Sequence, residues 1–184
     1  MQNLGQMRFH LLPLRRALVS VASACFLLLG TPALAAERVI LKYNVLREPI
    51  TVEELSTFAR TGKLSTLLKV TILLAQQDPE IIREYLTTPI QISPVALDKV
   101  FKSEIGDSTL DELSQVMHTR SRQGDRQALR SAFVASASQD QQITLLEIIQ
   151  NYPAAEVEIE ADRLETAYSQ LRRLQASLPE IIGS

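Results

Sequence analysis

Two short segments near residue 40 alternate apolar and polar positions. "RVILKYN" and "LREPITV", parted by a turn near Asn44, predict a β-hairpin over about 39–51. Pro49 has no N–H to give to a ladder, so its strand belongs at a sheet edge or is broken there. A third alternating run, "EVEIE" at 156–160, puts Val157 and Ile159 on one face and three glutamates on the other. An isolated hairpin is marginal in water. The late strand is therefore expected to join the early hairpin and close the domain end to end, with its glutamates as a solvated face.

Between these segments the apolar period changes from two to 3.6, and the helix starts are marked by capping residues. Thr51–Glu54 and Thr144–Glu147 match the capping box, and Asp162–Glu165 is a variant with Asp as the cap. Asp78 and Ser93 each stand before a proline suited to a first helical position. The spacings predict helices over about 52–61, 65–77, 79–87, 94–102, 108–119, 125–138, 144–151 and 161–176. Leu55, Phe58 and Ala59 share one face, as do Leu110, Leu113, Val116 and Met117, and again Ala128, Leu129, Ala132 and Phe133. The stretch "LLKVTILLA" at 67–75 is apolar nearly all round. It is either a docking face or the central buried helix, and burial is the expectation. The predicted class is α+β, mainly α: a bundle of short helices with a small antiparallel sheet formed by the N-terminal hairpin and the late strand.

The first 35 residues stand outside that pattern. Arg8, Arg15 and Arg16 precede the apolar run "ALVSVASACFLLLG", and Ala33-Leu34-Ala35 forms an A-x-A site. This tripartite order predicts a signal peptide over 1–35, a single domain over 36–184, and export to the periplasm or beyond. The apolar run falls short of the roughly 20 residues that a membrane span needs.

Setting the leader aside removes the only cysteine and leaves His118 as the sole histidine. An exported domain without disulfides must be held by burial alone. Of the 19 basic residues three lie in the leader, leaving 16 against 21 acidic ones and a net charge of −5. That balance argues against nucleic acid as a partner. With no tryptophan and 5% aromatic residues, the core must be aliphatic.

Candidate chemistry is sparse. Ser93 lies beside Pro94 near an aspartate and a glycine, but capping explains it, and the nucleophile elbow G-x-S-x-G occurs nowhere. His118, read as late in a helix, is the only possible base of a Ser-His pair and suits a favourable end charge. Zinc needs more His or Cys than this chain has after residue 35, and no glycine-rich phosphate loop occurs. No catalytic residue, cofactor or metal site is assigned. Asp111-Glu112 and the "EVEIE" glutamates are conceivable carboxylate pairs, read instead as solvated. The segment "HTRSRQGDRQALR" gathers Arg120, Arg122, Arg126 and Arg130 around Gly124 and Asp125. Forked guanidinium groups of this kind can hold a carboxylate, a phosphate or an acidic surface. The alternative is a solvated loop with Asp125 as an N-cap and the Arg130 stem lying along the helix.

The succession "LKYNVLREPITVEELSTFARTG", "ISPVALDKVF", "IGDSTLDELSQVMHTRS", "QALRSAFVASASQDQQITLLEIIQNYP" and "VEIEADRL", after a secretory leader, resembles a family of secreted cyanobacterial domains of unknown function. Such domains occur alone or directly before an α/β-hydrolase domain, and the chains are commonly labelled α/β hydrolases for that reason. The resemblance implies an accessory domain with an α/β-hydrolase partner and supplies no catalytic residue. Two other readings stay open: a helical domain binding a small apolar ligand or lipid, and a hydrolase in its own right.

Overall fold

The computed structural model describes residues 35–183, so the expected leader lies outside the described residues except for Ala35. In chain order the elements are β1 (Arg38–Tyr43), β2 (Leu46–Thr51), α1 (Val52–Thr61), α2 (Thr66–Leu74), α3 (Pro79–Thr87), β3 (Ile90–Gln91), α4 (Pro94–Val100), α5 (Glu104–Val116), β4 (Met117–His118), α6 (Asp125–Asp140), β5 (Gln142–Ile143), α7 (Leu145–Gln150), β6 (Glu156–Glu160) and α8 (Leu164–Gly183). The mainly helical architecture with a small sheet from hairpin and late strand is the expected one.

The hairpin turns at Asn44, whose φ of 53° is a left-handed value that asparagine tolerates. Strand order is β2-β1-β6-β4, which places Pro49 on an edge strand. The hairpin pair and the β4–β6 pair are antiparallel, while β6 runs parallel to β1 with Val157 opposite Val39 and Ile159 opposite Leu41. Parallel neighbours need a long crossover, and the helices between β1 and β6 provide it. One sheet face carries Val39, Ile50, Val157, Ile159 and Met117 into the core. There they meet Phe58, Leu113, Phe133 and Tyr152 from the helices and the loop after α7.

Most helices begin where their caps stand. Glu54 N–H donates to Thr51 Oγ1 at 3.0 Å while Glu54 Oε2 accepts from Thr51 N–H at 2.9 Å, and Thr144 and Glu147 repeat the exchange. Ser93 Oγ accepts from Ala96 N–H at 3.2 Å and starts α4.

Five expectations are corrected. First, α5 begins at Glu104, four residues before the expected start, capped by Ser103. Gly106 is what permits this: a Cβ there would stand 2.1 Å from the Val100 carbonyl oxygen. Second, α5 ends at Val116, so His118 lies not in a helix but in β4, opposite Glu158. Extending the chain there lets buried Met117 and His118 complete the sheet edge. Third, Asp162 does not cap α8; Ala161–Arg163 form a 3₁₀ turn with no side-chain cap that runs into the helix. Fourth, α8 continues beyond 176 through Pro179, because Leu178 is buried and Ile181 packs on the core.

The fifth correction concerns α2. Leu68, Thr71 and Ile72 face inward, yet Leu67, Val70, Leu73 and Leu74 are exposed, Leu73 by 72%. A helix apolar on every side is buried only if neighbours surround it. Here the fold covers one side.

Candidate functional site

The outer face of the sheet carries charge where the inner face carries aliphatic side chains, because successive residues of a strand point to opposite faces. Lys42 on β1 bonds to Glu160 on β6 and lies 3.7 Å from Glu158, and Arg47 on β2 bonds to Glu158. The expected solvated glutamate face is therefore wrong at Glu158, which is only 3% exposed. Strand pairing brings two cations against it.

His118 closes this face at β4 and is itself 1% exposed. Its Nδ1 lies 2.9 Å from the Thr119 carbonyl oxygen, an atom that only accepts, so Nδ1 carries the ring proton. In the neutral ring Nε2 then accepts from Arg122 at 2.8 Å. Glu160 Oε1 lies 3.1 Å from the same nitrogen and would accept from it once the ring is protonated. Burial raises the Glu160 carboxyl, but the hydrogen bond and charge of Lys42, with the adjacent His118 ring, outweigh it and hold the group below the ordinary carboxylate range. Among the described residues no serine or threonine hydroxyl bonds to the ring. The arrangement holds charge across three strands.

The arginine loop is divided among separate partners. Arg122 turns to His118 and Glu160, the latter at 3.4 Å. Arg126 pairs with Asp107 at 2.8 Å and Asp111 at 3.0 Å. Arg130 donates to the Phe101 carbonyl oxygen and sits 5.0 Å from the Phe101 ring centroid, so its stem does not simply follow α6. Arg120 alone of the four is exposed without a hydrogen bond or ion pair.

Asp125 is also not the N-cap of α6. Gly124, with φ of 73°, takes that position, and Asp125 is the first helical residue. Its Oδ1 accepts from Thr119 N–H at 2.8 Å, Thr119 Oγ1 at 3.0 Å and Tyr152 Oη at 2.8 Å. Burial first, and then the Asp125 carboxylate, push the Tyr152 phenol well above its usual range. Asp111 and Glu112 do not act together: Asp111 pairs with Arg126, and Glu112 accepts from Gln170 on α8. Ser93 makes its capping contact and none to an imidazole.

Sequence reading missed Lys42, Arg47 and Tyr152, and the polar partner of each comes from a distant part of the chain. For α2 the sequence left a docking face open beside the favoured burial, and the structure exposes the apolar ridge, which Ile81 at the start of α3 accompanies in sequence. The signal for that ridge was present in a helix with one charge, Lys69, among eight uncharged residues.

A family model described as "Alpha/beta hydrolase of unknown function (DUF1400)" matches residues 35–160, from the residue before the buried Ala36 to the end of β6. No curated protein and no solved structure matches the chain.

Proposed function

From the premise that the chain belongs to the family of alpha/beta hydrolases of unknown function, we propose that residues 36–184 form an exported, noncatalytic accessory module that docks on an α/β-hydrolase domain. The observation that carries this reading is the outer face of α2. Leu67, Val70, Leu73 and Leu74 stand in water on a single helix. An apolar helix face of this kind is suited to a groove on a partner, with anchors at helical spacing. Arg120, free of internal partners, is the member of the arginine loop left to meet an acidic surface, with Arg122, Arg126 and Arg130 engaged inside the domain.

Two features support a noncatalytic role. The sequence has no G-x-S-x-G, the strained turn that exposes the nucleophile of α/β hydrolases. The one histidine of the domain is buried with both ring nitrogens engaged.

The test uses the hydrolase domain of a two-domain family member as the partner, with binding measured by sedimentation. Replacing Val70 and Leu73 with lysine is expected to weaken the complex about 30-fold or more, the loss of a central apolar anchor of roughly 2 kcal/mol. Replacing Arg120 with alanine should have a smaller effect that fades with added salt. Undiminished binding by the double lysine variant would overturn the docking reading. Ester hydrolysis by the purified chain, lost in His118→Ala, would overturn the noncatalytic one.

A further inference from the structure

Beneath α2 lies a cavity of about 50 Å³. Leu68 and Ile72 of α2 form its roof, Phe58 and Leu86 stand on α1 and α3, and Ile149 and Ile159 come from α7 and β6. Only Thr71 and Gln77 bring polar groups to the lining, and both are turned to main chain. Thr71 Oγ1 donates to the Leu67 carbonyl oxygen at 3.0 Å and Gln77 Nε2 to that of Ala75 at 3.4 Å. The volume would admit one or two waters at about 30 Å³ each, but a buried water needs two to four polar partners, and apolar cavities stay dry and take up apolar molecules.

Close-packed interiors keep few voids larger than a water. This one persists under the helix with the most exposed apolar residues in the described domain. Gly62 and Gln76, both left-handed with φ of 72° and 53°, bracket that helix. Two lining residues, Ala75 and Ile82, each follow an exposed apolar residue, Leu74 and Ile81. The lining thus borders exposed apolar residues at the end of α2 and the start of α3. No charged side chain lines the cavity, so a charged head group has no counter-ion inside and stays in water.

We propose that the cavity is a binding site for the methyl end of an unbranched aliphatic chain, such as the tail of a fatty acid, with α2 as its displaceable roof. The space admits a narrow chain end, and the rest of the chain leaves along Leu74 and Ile81. The cavity lies under the inner face of α2, whereas docking uses the outer one; the two readings share only Leu74, so Leu73→Lys, which touches the outer face alone, separates them.

The test titrates the purified chain with decanoate below its micelle concentration, with acetate as the control. Calorimetry should show one-to-one binding of decanoate with a negative heat-capacity change, and none of acetate. Nuclear Overhauser contacts should join the decanoate methyl group to the Phe58 ring and Leu68. Ala75→Leu fills the space, and about a ten-fold or greater loss of affinity is expected at an unchanged or higher melting temperature. Leu73→Lys, on the outer face, should bind as the parent does. If Ala75→Leu does not fold, the Overhauser contacts in the parent decide the matter. The proposal is overturned if millimolar decanoate gives no binding, or if Leu73→Lys loses binding that Ala75→Leu keeps, since the chain then adsorbs on the outer face.

Discussion

Tyr152 donates its buried hydroxyl to Asp125 Oδ1 at 2.8 Å, tying the loop after α7 to the start of α6. The same oxygen holds the Thr119 amide and hydroxyl, so one carboxylate joins three chain segments. Hydrogen bonds to charged groups contribute about 1.5–3 kcal/mol each. Tyr152→Phe is expected to cost about 1.5 kcal/mol in urea melts. Asp125→Ala should cost about 3 kcal/mol or more, because it leaves a buried phenol and an amide without partners. Equal melting of both variants and the parent would refute this account of the junction.

Ile159 sits on the core face of β6, opposite Leu41 on one side and Met117 on the other. It is nearly fully buried. Ile159→Asp should lower the unfolding free energy by about 2–4 kcal/mol through a buried charge without a partner. Denaturant melts measure this, and an unchanged midpoint would mean that the strand does not face the core.

Acid should unfold the domain partly through Glu160. Its folded pKa is depressed, so its contribution is full above the unfolded value of about 4.3 and is lost as pH falls through the folded one. Glu160→Gln is therefore expected to be less stable than the parent near neutrality and to have a flatter stability profile on the acid side. Parallel profiles for the two proteins between pH 6 and about pH 3 would contradict the linkage.

Gly106 packs against the last turn of α4 with no room for a side chain. Gly106→Ala forces the backbone of Val100 or of α5 to move, at an expected cost of about 1–3 kcal/mol despite the better helix propensity of alanine. A stabilised Gly106→Ala protein, seen as a higher melting temperature, would show that the junction relaxes freely.

Export of this chain with cleavage after Ala35 remains our proposal, motivated by the A-x-A site and the basic and apolar segments before it. The first sheet contacts follow immediately: the Glu37 and Arg38 amides donate to the Ala155 carbonyl oxygen at 3.1 and 3.2 Å. Intact-mass measurement of secreted protein should give a chain starting at Ala36. A start at Met1 in that fraction would exclude cleavage.

The sequence by itself determined the hairpin, the late strand that joins it, and most helix starts. These depend on local physics: alternation selects a face, and a capping side chain reaches N–H groups within three residues, as at Thr51, Ser93 and Thr144. Tertiary structure alone decided the rest. His118 became a strand residue because β6 offered it a partner, and Glu158 became buried because Lys42 and Arg47 arrive from strands more than a hundred residues earlier. The earlier start of α5 at Glu104 depends on Gly106, where Val100 comes close enough to exclude any side chain. The outer face of α2 is as apolar as its inner face, so composition could not tell which would meet water. The number of neighbours that surround a helix is a property of the assembled fold, and here they stop at one side, leaving Leu73 in solvent above an apolar cavity.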